Sequence, residues 1–204
     1  MTRSEDAQLG VELGAWALGV ILWPGSPRAA TLEQAAAIAA AHRRQVEVCG
    51  VFVNQHLDEV AETIEALGLT MAQLHGDEGP AYCAEIARRT GAKVMKAARV
   101  RAKADLQALE PFHTDFHLLD AHVPGKFGGT GETFDWELVA GRHSRVPMVL
   151  SGGLTPENVG AAIAATHPFA VDTASGTEAA PGIKDHDKLR AFAEAVRATA
   201  EVPA

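Results

Sequence analysis

The stretch Val146-Pro147-Met148-Val149-Leu150-Ser151-Gly152-Gly153-Leu154-Thr155-Pro156-Glu157-Asn158 decides the reading of the fold. It opens on a short apolar run, the pattern of a strand covered on both faces. Two glycines follow, where backbone must turn sharply or approach a ligand closely. Thr155-Pro156 then reads as a helix cap with proline in the first helical position. Strand, glycine turn and helix start in one segment are half of a β-α-β unit.

The same unit recurs along the chain. Apolar runs begin at Ala17, Val46, Met71, Lys93, Phe116, Val146 and Phe169, at intervals of roughly 20 to 30 residues, the size of a strand–helix unit. Helical patterns lie between them. Thr31-Leu32-Glu33-Gln34 is a capping box. Leu57, Val60, Ala61, Ile64 and Leu67 mark one helical face and Gly68 ends it. Leu189, Phe192, Ala193 and Val196 give the last helix a buried stripe. Thr2 with Glu5 reads as a further capping box, and Gly14 as the stop of that first helix. Strands alternating with helices imply a parallel sheet. Seven strands fit an open doubly wound sheet, or a (β/α)8 barrel of which one strand is not counted. Because the chain begins on a helix, the uncounted strand is the first.

Composition narrows the function. With 204 residues the expectation is one domain, 1–204. The formal net charge is −8 without a basic stripe, which argues against nucleic acid as a partner. No run is long and apolar enough for a membrane span, and no basic-then-apolar leader opens the sequence. Two cysteines without metal-type spacing suit a reducing compartment, so the expected location is the cytoplasm.

In a parallel barrel the chemistry gathers at the carboxyl ends of the strands. Ser151-Gly152-Gly153 before a helix start forms an anion site, and Ala174-Ser175-Gly176 after the next strand is a second small-residue loop. Tight turns alone would explain either loop; the consecutive pair points to phosphate. Asp120 ends an apolar strand and is a candidate general acid, or else a structural carboxylate. Arg28, held by Pro27, is placed to clamp a carboxylate, or is a solvated arginine. The glycines of Lys126–Trp136 lack the Gly-Lys-Ser/Thr ending of a nucleotide loop. His75 with Asp77 is a weak metal pair, and His117 points away from the side that Asp120 takes. Cys49 lies mid-strand and reads as core.

Together these segments resemble phosphoribosylanthranilate isomerase of tryptophan biosynthesis. The matching stretches are TRSEDA (Thr2–Ala7), GVILWPGSPR (Gly19–Arg28), CGVFVN (Cys49–Asn54), QLHGDE (Gln73–Glu78), KAARV (Lys96–Val100), LLDA (Leu118–Ala121), GGTGETFDW (Gly128–Trp136), LSGGLTPENV (Leu150–Val159), and DTASG with PGIKD (Asp172–Gly176, Pro181–Asp185). The resemblance implies a (β/α)8 TIM barrel that uses no cofactor and no metal and acts on a phosphosugar by an Amadori rearrangement. It implies Asp120 as general acid and Arg28 as the grip on the anthranilate carboxylate. Asp172 would position the sugar, and the backbone around Gly129, Gly152, Gly153, Ser175 and Gly176 would hold the phosphate.

The family's general base is a cysteine in a Lys-Ile-Cys-Gly segment at the end of the first strand, just before Thr-Arg. Here Met1 stands directly before Thr2-Arg3. The expectation is therefore a barrel whose first strand and base lie outside this sequence. Either the recorded start is internal to a longer chain, or a real truncation has impaired the activity. The assembly expected is a monomer or a homodimer. Two readings compete: a non-catalytic phosphosugar-binding remnant, and another phosphate-binding barrel enzyme. A phosphosugar epimerase would want metal-binding His and Asp residues at several strand ends, a pattern the sequence lacks.

Overall fold

The computed structural model describes residues 1–120, 136–140 and 142–200. Gly129 and most of the Lys126–Trp136 loop fall outside them. After helix α1 (Ser4–Glu12) the chain alternates: β1 (Ala17–Ile21), α2 (Leu32–His42), β2 (Glu47–Phe52), α3 (Leu57–Leu67), β3 (Met71–Leu74), α4 (Pro80–Thr90), β4 (Lys93–Arg99), α5 (Lys103–Gln107), β5 (Phe116–Asp120), α6 (Trp136–Ala140), β6 (Met148–Ser151), α7 (Val159–Thr166) and β7 (Ala170–Val171). A 3₁₀ turn (Ser175–Thr177), a two-stranded antiparallel hairpin of β8 (Glu178–Ala180) and β9 (Ile183–Lys184), and helix α8 (His186–Ala200) complete it.

The seven strands β1 to β7 form one sheet in chain order, every pair parallel. Strand parity sorts the side chains. Cys49, Met71, Met95, Ala97, Phe116, Leu118 and Val149 pack together on one face. Leu18, Val20, Val48, Phe52, Leu74 and Val94 face the helices with Ile38, Val60, Ile64 and Ile86. Leu119 and Leu150 do so with Val159, Ala162 and Phe192.

The sheet curls far enough that its ends meet. The ring of Trp16, just before β1, lies 5.2 Å from that of Phe169, just before β7, and 4.8 Å from that of Phe116 on β5, edge-on in both cases. Among the described residues β1 and β7 form the sheet's two edges. The N-terminal segment bridges the gap. The Met1 ammonium donates to the Gly19 carbonyl of β1 at 2.5 Å, and Thr2 Oγ1 donates to the Gly182 carbonyl in the β8–β9 turn at 2.5 Å.

The caps read from the sequence are mixed. Thr31 and Gln34 form the reciprocal capping box of α2, and Gly68 ends α3 at φ +63°. Gly14 lies at φ +82° just beyond α1. Thr2 does not cap α1: Arg3 is the N-cap residue without a side-chain cap bond, and the Thr2 hydroxyl is committed to Gly182. Thr155 does not start α7 directly either. Asn158 Oδ1 accepts from the Thr155 N–H at 2.8 Å, and α7 begins at Val159 after a turn. At Thr2 a tertiary bond captures the hydroxyl that local pattern assigns to a cap, and at Thr155 the Asn158 side chain closes a turn on the backbone before the helix starts.

His117 lies on the helix-facing side of β5 and is 2% exposed. Its Nε2–H donates to the Phe112 carbonyl at 2.8 Å, while Nδ1 accepts from Arg142 Nη2 at 2.7 Å. Both ring nitrogens are thus used by the neutral form. Burial pushes the imidazole down to about 4, the Arg142 charge adds to this, and the Phe112 carbonyl opposes it. The unfolded chain takes up this proton near pH 6.5 and the folded chain does not, so stability falls as pH drops from about 6.5 to 4. Urea titrations are expected to register a loss from this residue of up to about 3 kcal/mol across that window. His117→Gln, which can donate and accept at the same positions, should flatten the dependence there. An unchanged slope would place the proton on another group.

Candidate active site

Parity also builds the rim at the carboxyl ends of the strands. On β3 the residues that continue the inward-facing line of Met71 are Gln73 and His75. On β4 it is Arg99, after Met95 and Ala97; on β5, Asp120, after Phe116 and Leu118; on β6, Ser151, after Val149. Register sets Arg99 beside Asp120 and Asp120 beside Ser151. Ser151 Oγ donates to Asp172 Oδ2 at 2.9 Å, just past β7. Arg99, Asp120, Ser151 and Asp172 therefore form one polar row above an apolar floor.

Asp120 has a neighbour that a metal reading of His75 does not anticipate. His75 Nε2 lies 3.9 Å from Asp120 Oδ2. On its other side the Gln73 amide nitrogen contacts His75 Nδ1 at 2.6 Å. With that amide donating, Nδ1 accepts and Nε2 carries the hydrogen that faces Asp120. Burial is the main cause holding the His75 imidazole below its ordinary range, with Asp120 and Asp172 pulling the other way. A neutral ring that presents N–H to a carboxylate is the result. Among the described residues no three His, Cys, Asp or Glu side chains gather as a ligand set for a metal.

The loop that carries His75 is held from behind. Lys96, on the helix-facing side of β4, donates to the carbonyls of Leu74 (3.1 Å) and Gly76 (2.6 Å) and to Glu78 Oε2 (2.9 Å). Glu78 also accepts from the N–H groups of Asn54 (2.8 Å) and Gly76 (2.9 Å). Asn54 holds φ +55°, and a Cβ on Gly76 would collide with its side-chain oxygen, so only glycine fits there.

The two glycine loops stand side by side, as their order in the chain implies. Gly152 and Gly153 adopt φ +102° and +68°, conformations that side chains disfavour. Thr173 Oγ1 donates to the Leu154 carbonyl at 2.9 Å, and a Cβ on Gly176 would strike that same carbonyl. Ser175 is exposed in the turn beside it. Arg28, in the loop after β1, reaches this second loop. Its Nε donates to both oxygens of Glu178, at 3.0 and 2.8 Å, while Glu178 Oε1 also accepts from the Gly182 N–H at 3.1 Å. Glu178 is 7% exposed in its side chain and Arg28 29%. Arg28 is thus oriented through Nε, which leaves its outer fork of N–H groups to bind elsewhere.

Cys49 lies inside the sheet, 2% exposed, and burial drives its thiol far above the ordinary range, so it is inert as a base. Of the residues singled out in the sequence, the structure brings together Asp120 with the Ser151–Asp172 pair, and Arg28 with the loop containing Ser175 and Gly176. Gly129 lies outside the described residues. Gln73, Glu178 and Lys184 escaped the sequence reading, and His75 entered it only as half of a weak metal pair, not as the neighbour of Asp120. His75 and Gln73 were detectable, because the parity that selects Asp120 selects them too.

A family model for N-(5'-phosphoribosyl)anthranilate (PRA) isomerase matches residues 1–195. The N-(5'-phosphoribosyl)anthranilate isomerase of Pelobacter propionicus is 44% identical over 199 residues, covering 98% of this chain and 93% of the relative. The crystal structure of phosphoribosyl anthranilate isomerase from Thermotoga maritima superposes with a TM-score of 0.87 at 40% identity, covering 97% of this chain and 96% of that one. A crystal structure of a phosphoribosyl anthranilate isomerase in complex with reduced 1-(o-carboxyphenylamino)-1-deoxyribulose 5-phosphate gives a TM-score of 0.84 at 38% identity, covering 97% of this chain and 95% of that one. Matches of this identity and extent, on a sheet of the same form, show that the chain belongs to the N-(5'-phosphoribosyl)anthranilate isomerase family.

Proposed function

We propose that this chain isomerises N-(5'-phosphoribosyl)anthranilate to 1-(2-carboxyphenylamino)-1-deoxyribulose 5-phosphate, the Amadori step of tryptophan biosynthesis. The observation that carries the reading is the rim itself: Asp120, Arg28 and the paired glycine loops share one end of a curled parallel sheet. Asp120 gives its proton to the ring oxygen of the ribosylamine, the C1–O bond opens, and a Schiff base forms with the anthranilate nitrogen. Loss of the C2 proton to a base gives an enolamine, which becomes the aminoketose when the base returns that proton to C1 and the C2 hydroxyl gives its own proton back to the Asp120 carboxylate. Nothing is gained or lost overall, as an isomerisation requires. The His75 N–H faces the Asp120 carboxyl across 3.9 Å, a polar neighbour on the side of the rim where the substrate enters. Arg28 grips the anthranilate carboxylate with its free fork, and the loops at Gly152-Gly153 and Ser175-Gly176 take the phosphate. Asp172, oriented by Ser151, faces the sugar hydroxyls.

The base that the resemblance implies is a thiolate, and a strand that carried it would run in the seam between β1 and β7 and complete a (β/α)8 barrel of one domain. Facing sheet edges and the Met1 ammonium already bonded to Gly19 support that course. Unpaired, buried Cys49 and Cys83 fit a reducing cytoplasm. Among the described residues no helix is long and apolar enough to cross a membrane.

Asp120→Asn is expected to lower kcat by about 10²- to 10⁴-fold, with little change in affinity for the reduced product analogue. Near-normal turnover would remove Asp120 from the role. Arg28→Lys keeps the charge but not the fork, and should raise KM about tenfold or more while kcat falls less. Extending the chain ahead of Met1 by a strand ending in Cys-Gly should raise turnover by about 10²- to 10⁴-fold, and a Cys→Ala change in that extension should cancel the gain. Equal rates with and without the strand would assign the base to a residue already present.

A further inference from the structure

Lys184 is a buried charged group that the mechanism does not use. It lies on β9, 9% exposed. Its Nζ donates to the carbonyl of Ala174 at 2.9 Å, to Thr177 Oγ1 at 2.9 Å and to the carbonyl of Thr173 at 3.3 Å. All three acceptors belong to the turn that contains Ser175 and Gly176. The same turn is pinned on another side by the Thr173 hydroxyl on the Leu154 carbonyl.

We infer that Lys184 is a positioning residue for the substrate phosphate, an ammonium set behind the loop that shapes its backbone into an anion cradle and supplies the cradle's fixed charge. The shaping follows from the peptide plane. In a trans peptide the C=O of one residue and the N–H of the next point in opposite directions. Drawing the Thr173 and Ala174 carbonyls toward Nζ turns the N–H groups of Ala174 and Ser175 away from it. Successive N–H groups presented on one side form a concave site for an anion.

The charge has its own reason. Burial is the largest influence on Lys184 and holds its proton affinity below the ordinary range, with Arg28 adding to this, while Glu178, Asp172 and Asp6 pull the other way and favour the ammonium. A phosphate ester entering among these carboxylates needs a compensating cation that the solvent does not screen. A neutral side chain could tie the turn at lower desolvation cost, so an ammonium is a poor choice for tying alone. Its three N–H groups are matched by three acceptors, which makes the buried charge tolerable.

The inference rests on the phosphate reading of this loop, and the test separates the two. Calorimetric titration of the full chain would use inorganic phosphate, the reduced product analogue and the dephosphorylated form of that analogue. Lys184→Met should weaken binding of the two phosphate-bearing ligands about tenfold or more and leave the dephosphorylated one unchanged. Should that variant fail to fold, Lys184→Gln, which still donates to the turn, should show the same selective loss in smaller degree. Equal weakening of all three ligands, or of none, would overturn the role. Ser175→Glu sets a carboxylate on the cradle's exposed lip and should abolish phosphate binding. If it does so while the Lys184 variants bind normally, the cradle stands and Lys184 is only a tie. If Ser175→Glu also binds phosphate normally, or the unaltered chain binds none, the phosphate reading fails and takes this inference with it.

Discussion

The structure depends on one buried carboxylate that joins the two ends of the chain. Asp6, on α1, has a side chain with no exposed surface. It accepts from Arg3 at 2.6 and 3.0 Å, from the Lys184 backbone N–H at 3.0 Å and from His186 Nε2 at 2.9 Å. Burial by itself would raise its proton affinity, but the bonds from Arg3, Lys184 and His186 outweigh this and hold the carboxyl below its ordinary range. The stabilisation is present above the unfolded value near 3.8 and is lost as pH falls through the folded one. What the carboxylate secures is a position. β9 is fixed against α1, so Lys184 lies under the turn at Ser175, and Glu178, at the other arm of the hairpin, meets Arg28. The two grips proposed for the substrate's anionic ends are thereby referred to the same seam.

That seam explains what sequence could and could not tell. The seven strands were legible because continuous apolar runs and helical faces are local patterns, set within ten or so residues. The alternation is repetitive, and each unit repeats the same physical demand. Thr31, Gly68 and Gly14 were legible for the same reason. Thr2 was misread because its hydroxyl is used by a partner 180 positions away. The Arg28–Glu178 pair spans 150 positions and leaves no local trace in either neighbourhood. The hairpin was a signal left unread. Pro181-Gly182, with Gly182 at φ +80°, is the proline–glycine pair of a tight reverse turn. With strands of three and two residues, no alternation was long enough to mark it.

The site divides its work between rigid and adaptable parts. The proposed acid, Asp120, lies at the end of a strand hydrogen-bonded on both sides, in register with Arg99 and Ser151. The proposed grips are loops, which can reach the distant ends of a substrate whose reacting atoms must sit near the strand. Parity accomplishes the separation. Residues below the rim on the same face are apolar, so the polar row is bounded on the inner side by Leu118, Ala97 and Val149. Hydrogen bonds made there weigh more than they would in water.

Such an arrangement raises the question of why ionic groups were placed behind the loops at all. Lys96 and Glu78 are 6% and 2% exposed, and a pair that deeply buried returns little net stability against apolar residues of the same volume. Each ion of the pair, however, ends on backbone: Lys96 on two carbonyls of the His75 loop, Glu78 on two N–H groups from neighbouring loops. Lys184 follows the same plan at the loop proposed to hold the phosphate. An apolar pair would pack as well but could not orient peptide groups. Charge behind the loop therefore stabilises one backbone geometry over its alternatives rather than the fold over the unfolded chain. The costs are accepted at those loops where misplacing a peptide group would misdirect either the proposed proton donor or the anion proposed to bind there.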